Sequence, residues 1–259
     1  MKPAPFKYYA PSTVDEALVR LAEHGWDAKV LAGGQSLVPM MNFRLAQPAV
    51  LVDLNGISDL FYIQPSRGGG LKIGAMTRQR QVELDPRVVE RAPMLHEALP
   101  KVAYPQIRSR GTFGGPIAHA DPSAELVAAC VALGARCRLK TRAAERWVPA
   151  RDFFVGLFTT VLEPEELLVE VELPPMQPRS GWSFLEVARR HHDFALVGVA
   201  AFVTLDEQER CAETRMVYFS VGDGPVEAHE AAALLGGQEP TDEVIREAAE
   251  TAGAVDVDP

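Results

Sequence analysis

Two glycine pairs, each with a hydroxyl residue beside it, constrain this chain most tightly: Ala32-Gly33-Gly34-Gln35-Ser36 and Gly111-Thr112-Phe113-Gly114-Gly115. The first follows directly on Lys29-Val30-Leu31-Ala32, a short apolar run that reads as a strand. Glycine lets neighbouring backbone N–H groups converge with no Cβ in the way, and Ser36 and Thr112 add hydroxyl donors beside those amides. Two such loops suit a diphosphate, whose oxygens need several donors at close range. Taken singly, each Gly-Gly reads more simply as an ordinary turn, and it is the pair of hydroxyl-flanked loops that brings the cradle level with that reading. Other nucleotide cradles are missing from the sequence: no G-x-G-x-x-G follows a strand, and neither G-x-x-x-x-G-K-[ST] nor a G-x-S-x-G elbow occurs.

Charge decides how such an anion could be held. The 259 residues carry 26 Lys and Arg against 35 Asp and Glu, a formal net charge of −9. No global basic field is available for nucleic acid or an anionic membrane. Residues 205–259 alone carry 14 acidic and 3 basic side chains, which leaves the segment with both glycine loops close to neutral. Backbone dipoles could therefore neutralise a pyrophosphate there with few lysines. Three cysteines, Cys130, Cys137 and Cys211, show no C-x-x-C spacing and no partnered histidines. That usage fits a reducing compartment and argues against a zinc site, an iron–sulfur cluster or a disulfide framework. Met1 to Pro11 lacks the apolar core of a signal peptide, and no apolar run approaches the ~20 residues of a membrane span. The expectation is a cytoplasmic protein without membrane insertion.

Periodicity supplies the elements. Thr13 with Glu16 forms a capping-box pattern ahead of Val14, Ala17, Leu18 and Leu21, and Gly25 stops the helix. A strand at Val50 to Leu54 follows, then a turn at Pro65 to Gly70 leading into a strand at Leu71 to Ala75. Helical patterns occupy about 86–90 and 94–102, whereas 104–116 is too rich in Gly, Pro and Arg to suggest a regular element. Asp121 as N-cap and Pro122 at the first helical position predict a helix over 122–133, with Cys130 on its apolar face as a core residue. Strands are expected at 135–140, 146–149 and 167–173. Pro174-Pro175 then marks a domain boundary. Beyond it, strands at 182–190, 194–205 and 211–221 precede helices at 226–235 and 242–252, which predicts an antiparallel sheet covered on one face.

Taken in order, the motifs resemble the FAD-binding medium subunits of molybdenum hydroxylases, the carbon monoxide dehydrogenase and xanthine dehydrogenase family. The resemblance runs from Ala28 to Pro39 through Ile73-Gly74-Ala75, Gln106 to Gly115, Ala118-His119-Ala120-Asp121-Pro122 and Phe153-Phe154-Val155-Gly156 to Ala188-Arg189-Arg190 and Asp193 to Gly198. It implies an α+β fold: a two-lobed p-cresol methylhydroxylase-like FAD-binding domain over 1–175, with lobes of about 1–56 and 57–175. A C-terminal domain of a three-stranded antiparallel sheet with helices follows over 176–259. It further implies FAD contacts at Ala32, Gly33, Gly34, Gln35, Ser36 and Leu37, at Gly111, Thr112, Phe113, Gly114 and Gly115, and at His119 and Glu125. The implied partners are a molybdenum-cofactor large subunit and a [2Fe–2S] small subunit in a dimer of heterotrimers, with an external electron acceptor. No catalytic side chain and no metal ligand is expected on this chain.

Several residues depart from the family pattern. Phe113 stands where isoleucine is usual, and Pro116, which lacks an N–H, where asparagine or serine is usual. Glu125 stands for an aspartate that bonds the FAD, and Glu186 for a lysine that some relatives present to the flavin. Relatives usually continue for a few tens of residues, with a further helix, past the equivalent of Asp256-Val257-Asp258-Pro259. Other readings stay open: a self-contained FAD-dependent oxidase or dehydrogenase, or a non-catalytic assembly protein that has lost flavin. Arg108 and Arg110 read either as surface ion-pairing groups or as supports of the second glycine loop. His191-His192-Asp193 reads as a loop near the flavin, with the two adjacent rings expected to point apart.

Overall fold

The structure is a computed structural model that describes residues 2–254. Its first unit runs β1 (Lys7–Tyr9), α1 (Val14–His24), β2 (Ala28–Leu31), α2 (Leu37–Asn42) and β3 (Val50–Asp53), with the strands in a parallel sheet of order β1-β3-β2. Thr13 caps α1 by accepting from the Glu16 N–H, as its spacing predicts. Ala17, Leu18 and Leu21 then seal against Val50 and Val52. Helix α2, which the sequence did not announce, follows immediately on the first glycine loop.

The second unit is wound around the antiparallel sheet β4-β5-β10-β6-β7, made of Ile63–Pro65, Leu71–Gly74, Leu167–Leu173, Arg136–Lys140 and Glu145–Pro149. Six short helices lie between β5 and β6: α3 (Gln79–Leu84), α4 (Pro86–Arg91), α5 (Pro93–Ala98), α6 (Pro105–Arg110), α7 (Gly114–His119) and α8 (Glu125–Ala132). The hairpin β8 (Phe154–Gly156) and β9 (Thr159–Thr160) precedes β10. Two expectations fail here. The stretch 104–116 is not irregular but holds α6 and α7, because Pro105 sits at a first helical position, where its missing N–H costs nothing. Each helix spans six residues, too few to display a period. Helix α8 starts three residues later than expected: Asp121 accepts from the Ser123 N–H at 2.9 Å in a local turn, and Ala124 becomes the N-cap. Every residue of α8 is buried, so Cys130 belongs to the core, as expected, but on a helix with no exposed face.

The third unit is the antiparallel sheet β11 (Ser180–Ala188), β12 (Ala195–Leu205), β13 (Cys211–Phe219) and β14 (Val226–Glu227), followed by α9 (His229–Leu235) and α10 (Asp242–Gly253). The expected three-stranded sheet thus carries a fourth strand of two residues on its β13 edge, where helix had been expected from 226. One face packs through Phe184, Ala200, Val217 and Phe219 into the same core as α5 and α8. Gly198 is required in this layer, since a Cβ there would lie 2.0 Å from the Phe219 ring. Helices α9 and α10 cover part of the opposite face through Leu235, Ala248 and Ala252. The continuation past Asp256 to Pro259 falls outside the described residues.

Candidate cofactor site

Strand β2 ends at Leu31 and delivers Ala32 to Gln35 as a tight loop. Gly34 has φ +72°, a left-handed conformation that glycine adopts without strain. Gly33 is needed for a different reason. A Cβ on it would lie 2.6 Å from the Arg110 carbonyl oxygen and 2.8 Å from the Gly111 Cα, so the two glycine loops meet backbone to backbone. Beside this contact lies a cavity of about 260 Å³ whose walls include Ala32, Gly33, Gly34, Gln35, Asn55 and Arg110. Gly33→Ala must push the loops apart, an overpacking cost of about 1–3 kcal/mol. Titration of the flavin-free chain with FAD should show weaker binding in this variant, and unchanged affinity would refute the contact.

Most donors of the second loop turn out to be committed within the protein. The N–H of Gly111 donates to the Ile107 carbonyl at 2.7 Å, that of Phe113 to Thr77 at 2.8 Å, and that of Gly114 to Ala75 at 2.8 Å. Gly114 is a packing glycine, because its Cβ would come within 2.7 Å of the Ala75 Cβ. Phe113 is wholly buried, so its side chain braces the loop from the core side rather than lining a ligand. Thr112 remains: its Oγ1 is buried with no hydrogen-bond partner among the described residues. A Cβ on Gly115 would sit 2.9 Å from that same oxygen. An orphaned hydroxyl costs about 1–3 kcal/mol unless a ligand or water completes it. Of the second loop's donors, the Thr112 hydroxyl and the backbone N–H groups of Thr112 and Gly115 therefore remain uncommitted among the described residues.

Of the first-loop residues, Gln35 folds its amide back onto the Gly33 carbonyl at 3.1 Å, Ser36 is exposed, and Leu37 opens α2. His119, in the last turn of α7, packs against the tilted Phe158 ring with centroids 5.0 Å apart, and its burial lowers the imidazole pKa. Glu125 belongs to a separate polar cluster. Burial pushes its carboxyl up to about 7, and the charges of Glu186 and Asp121 add to the shift while Arg108 opposes it. Glu186 is also raised, chiefly by desolvation, and its Oε2 is buried without a partner among the described residues. The structure thus brings the first glycine loop together with Arg110 and Gly111, and places Glu125 within the electrostatic reach of Glu186.

Two arginines divide. Arg108 is no surface residue: only 3% exposed, it pairs with Glu83 at 2.8 Å and donates to the Val102 and Ala103 carbonyls at 2.8 and 2.6 Å. It holds the approach to the loop rather than the loop itself. Arg110 lines the cavity. The rings of His191 and His192 do not point apart but stack at 4.0 Å, because His192 takes a left-handed φ of +71° that rotates its side chain back over its neighbour. Asp53, Asn55 and Arg78 escaped the sequence reading. Asn55 donates to the Ala32 carbonyl at 2.9 Å and to Asp53 Oδ1 at 2.5 Å. Only the position of Asp53-Leu54-Asn55, directly after a strand end, could have signalled them.

Residues 4–176 match the family described as the FAD binding domain in molybdopterin dehydrogenase, and residues 182–258 match the CO dehydrogenase flavoprotein C-terminal domain. The chain belongs to this flavoprotein family. The alpha subunit of the 6-hydroxypseudooxynicotine dehydrogenase complex of Paenarthrobacter nicotinovorans is 41% identical over 235 residues, 91% of this chain and 79% of that one. Among solved structures, a carbon monoxide dehydrogenase from Hydrogenophaga pseudoflava superposes with a TM-score of 0.95 at 38% identity, over 100% of this chain and 89% of its own. Quinoline 2-oxidoreductase from Pseudomonas putida 86 gives a TM-score of 0.91 at 39% identity, covering 100% and 89%. The α+β fold and the FAD expected from the resemblance hold for this flavoprotein. Its own geometry fits such a group: a cavity lined by the first glycine loop and Arg110, with the second glycine loop abutting the first at Gly33 and carrying an unpartnered buried hydroxyl on Thr112. Among the described residues no helix is long and apolar enough to cross a membrane.

Proposed function

We propose that this chain is the FAD-carrying electron-transfer subunit of a multi-subunit molybdenum hydroxylase. It takes electrons from [2Fe–2S] clusters on a small partner subunit, where they arrive from a molybdenum cofactor on a large one, and passes them to an external acceptor. The observation that carries the reading is the abutment of Gly33 on Arg110-Gly111 beside a cavity, in a chain that matches flavoprotein family domains along nearly its whole length. FAD supplies a centre able to accept and release electrons singly or in pairs, while the protein supplies binding, orientation and electrostatics. Residues 32–37 and 111–115 would hold the diphosphate, chiefly through the backbone around Gly33 and Gly34 and the Thr112 hydroxyl. Glu125 and His119 would border the remainder of the cofactor. Residues 1–56 and 57–175 would form the two lobes about it, with 176–259 as the C-terminal domain. The assembly would be a dimer of heterotrimers working in the cytoplasm, where the three buried free thiols stay reduced.

Purification of the chain should yield flavin absorbance at a stoichiometry of one FAD per chain, or uptake of FAD on titration. The isolated subunit should not oxidise a hydroxylase substrate until the large and small subunits are added. A chain that never takes up FAD, or one that turns over an organic substrate unaided, would sink the proposal.

A further inference from the structure

The link between the two lobes is not the glycine contact alone. Arg78 follows β5 and caps the start of α3, and its guanidinium reaches across the cleft between the glycine loops. Nη1 donates to the Arg110 carbonyl at 2.6 Å, and Nη2 donates to Asn55 Oδ1 at 2.6 Å. Asn55 in turn donates to the Ala32 carbonyl at 2.9 Å. A continuous path of three hydrogen bonds therefore runs from the residue before Gly33 to the residue before Gly111. The carboxylate of Asp53 fixes Asn55 from below, accepting from its backbone N–H at 2.9 Å as well as from its side chain. The Phe61 ring, 5.4 Å from the guanidinium carbon, backs the arginine. The Arg110 oxygen that Arg78 holds is the same atom that comes within 2.6 Å of a Cβ on Gly33.

Chemistry favours a clasp over a direct ligand. A guanidinium that meets a phosphate presents two parallel donors to one group. Here the two terminal nitrogens are spent on different partners from different lobes, a carbonyl and an amide oxygen. Both bonds are charge-assisted, and the group is only partly exposed. Without Arg78 the Arg110 carbonyl would lose this donor, and Asn55 its link to the second glycine loop. We propose that Arg78 is a positioning residue which, through Asn55, locks the two glycine loops at the spacing that the cofactor diphosphate needs, so that the site is formed before the cofactor arrives. The inference rests on the flavoprotein reading above.

Five chains, stripped of flavin, test it: wild type, Arg78→Ala, Arg78→Lys, Asn55→Ala and the Asn55→Ala/Arg78→Ala double variant. Affinities for FAD and for ADP, which shares the diphosphate, are measured beside the thermal midpoint. Arg78→Ala should weaken both ligands by a similar factor of about tenfold, the scale of one lost charge-assisted hydrogen bond. Arg78→Lys should recover part of the loss, since an ammonium can still donate to Arg110. Asn55→Ala should reproduce the loss, and adding Arg78→Ala to it should cost little more, because both break one path. The proposal is overturned if Arg78→Ala lowers the thermal midpoint but leaves both affinities within about twofold. It is equally overturned if the two alanine effects simply add, or if ADP affinity is untouched while FAD affinity falls. A wild-type chain that binds no FAD would instead defeat the flavoprotein reading itself, an outcome separate from these.

Discussion

Arg108→Ala should destabilise the chain by about 3–5 kcal/mol, the cost of removing one partner from a buried ion pair. Glu83 is 6% exposed and Arg108 3%, and the pair is bonded bidentately along one guanidinium edge, Nε to Oε2 at 2.8 Å and Nη2 to Oε1 at 3.3 Å. Burial pushes the Glu83 carboxyl upward, yet hydrogen bonds from Arg108 and Arg80 outweigh it and hold the pKa below the ordinary carboxylate range. In the variant only Arg80 remains, and its side chain is 39% exposed. A second loss follows at Ala103, whose left-handed φ of +39° is held by the Arg108 bond to its carbonyl. That loop leads into α6, which ends at Arg110, so FAD affinity should fall with stability. The sign with pH follows from the depressed pKa. The stabilisation from Glu83 is complete above the ordinary carboxylate range and disappears as pH drops through the lower folded value. Urea unfolding should therefore show the gap between wild type and Arg108→Ala narrowing in acid. A neutral-pH loss below about 1 kcal/mol would match an exposed pair and refute the buried one. Arg108→Met combined with Glu83→Leu should recover much of the loss, because no charge is then left buried alone.

Such a pair illustrates where the sequence was silent. Arg108 lies between glycine, proline and arginine residues that suggest an exposed loop, and nothing local says that Glu83 waits across the core. Long-period features fared better. Helix α1 was legible because Thr13, Glu16 and Gly25 bracket three buried apolar positions. Strands β10 to β13 were legible because alternation persists along them. Helices α6 and α7 were not, since six residues make fewer than two turns and carry no period. At the site, the glycines announced a close backbone approach but not its object. Gly33 is there for Arg110 and Gly111, whereas Gly114 is there for Ala75, and only the fold tells which neighbour each glycine makes room for. The hydrogen bonds of Arg78, Asn55 and Asp53 join residues beside two different sheets, a relation that spacing along one chain cannot display.

Glu125→Gln is expected to stabilise the flavin-free chain, increasingly so as pH rises. Glu125 is 9% exposed at the start of α8, and burial, reinforced by Glu186 and Asp121, raises its pKa from an ordinary 4.5 to about 7. Below the ordinary value the carboxyl is neutral in folded and unfolded chains alike, and folding bears no penalty. Between 4.5 and 7 the unfolded chain releases this proton while the folded chain retains it, so stability declines with rising pH. Above 7 both forms are ionised and the penalty levels off at about 3 kcal/mol, by the usual conversion of a pKa difference. Glutamine occupies the same volume without ionising. Its advantage should thus grow between pH 5 and pH 8 by up to about 3 kcal/mol in urea unfolding. Equal stability differences at both pH values would mean that the Glu125 carboxyl is not held neutral by its surroundings.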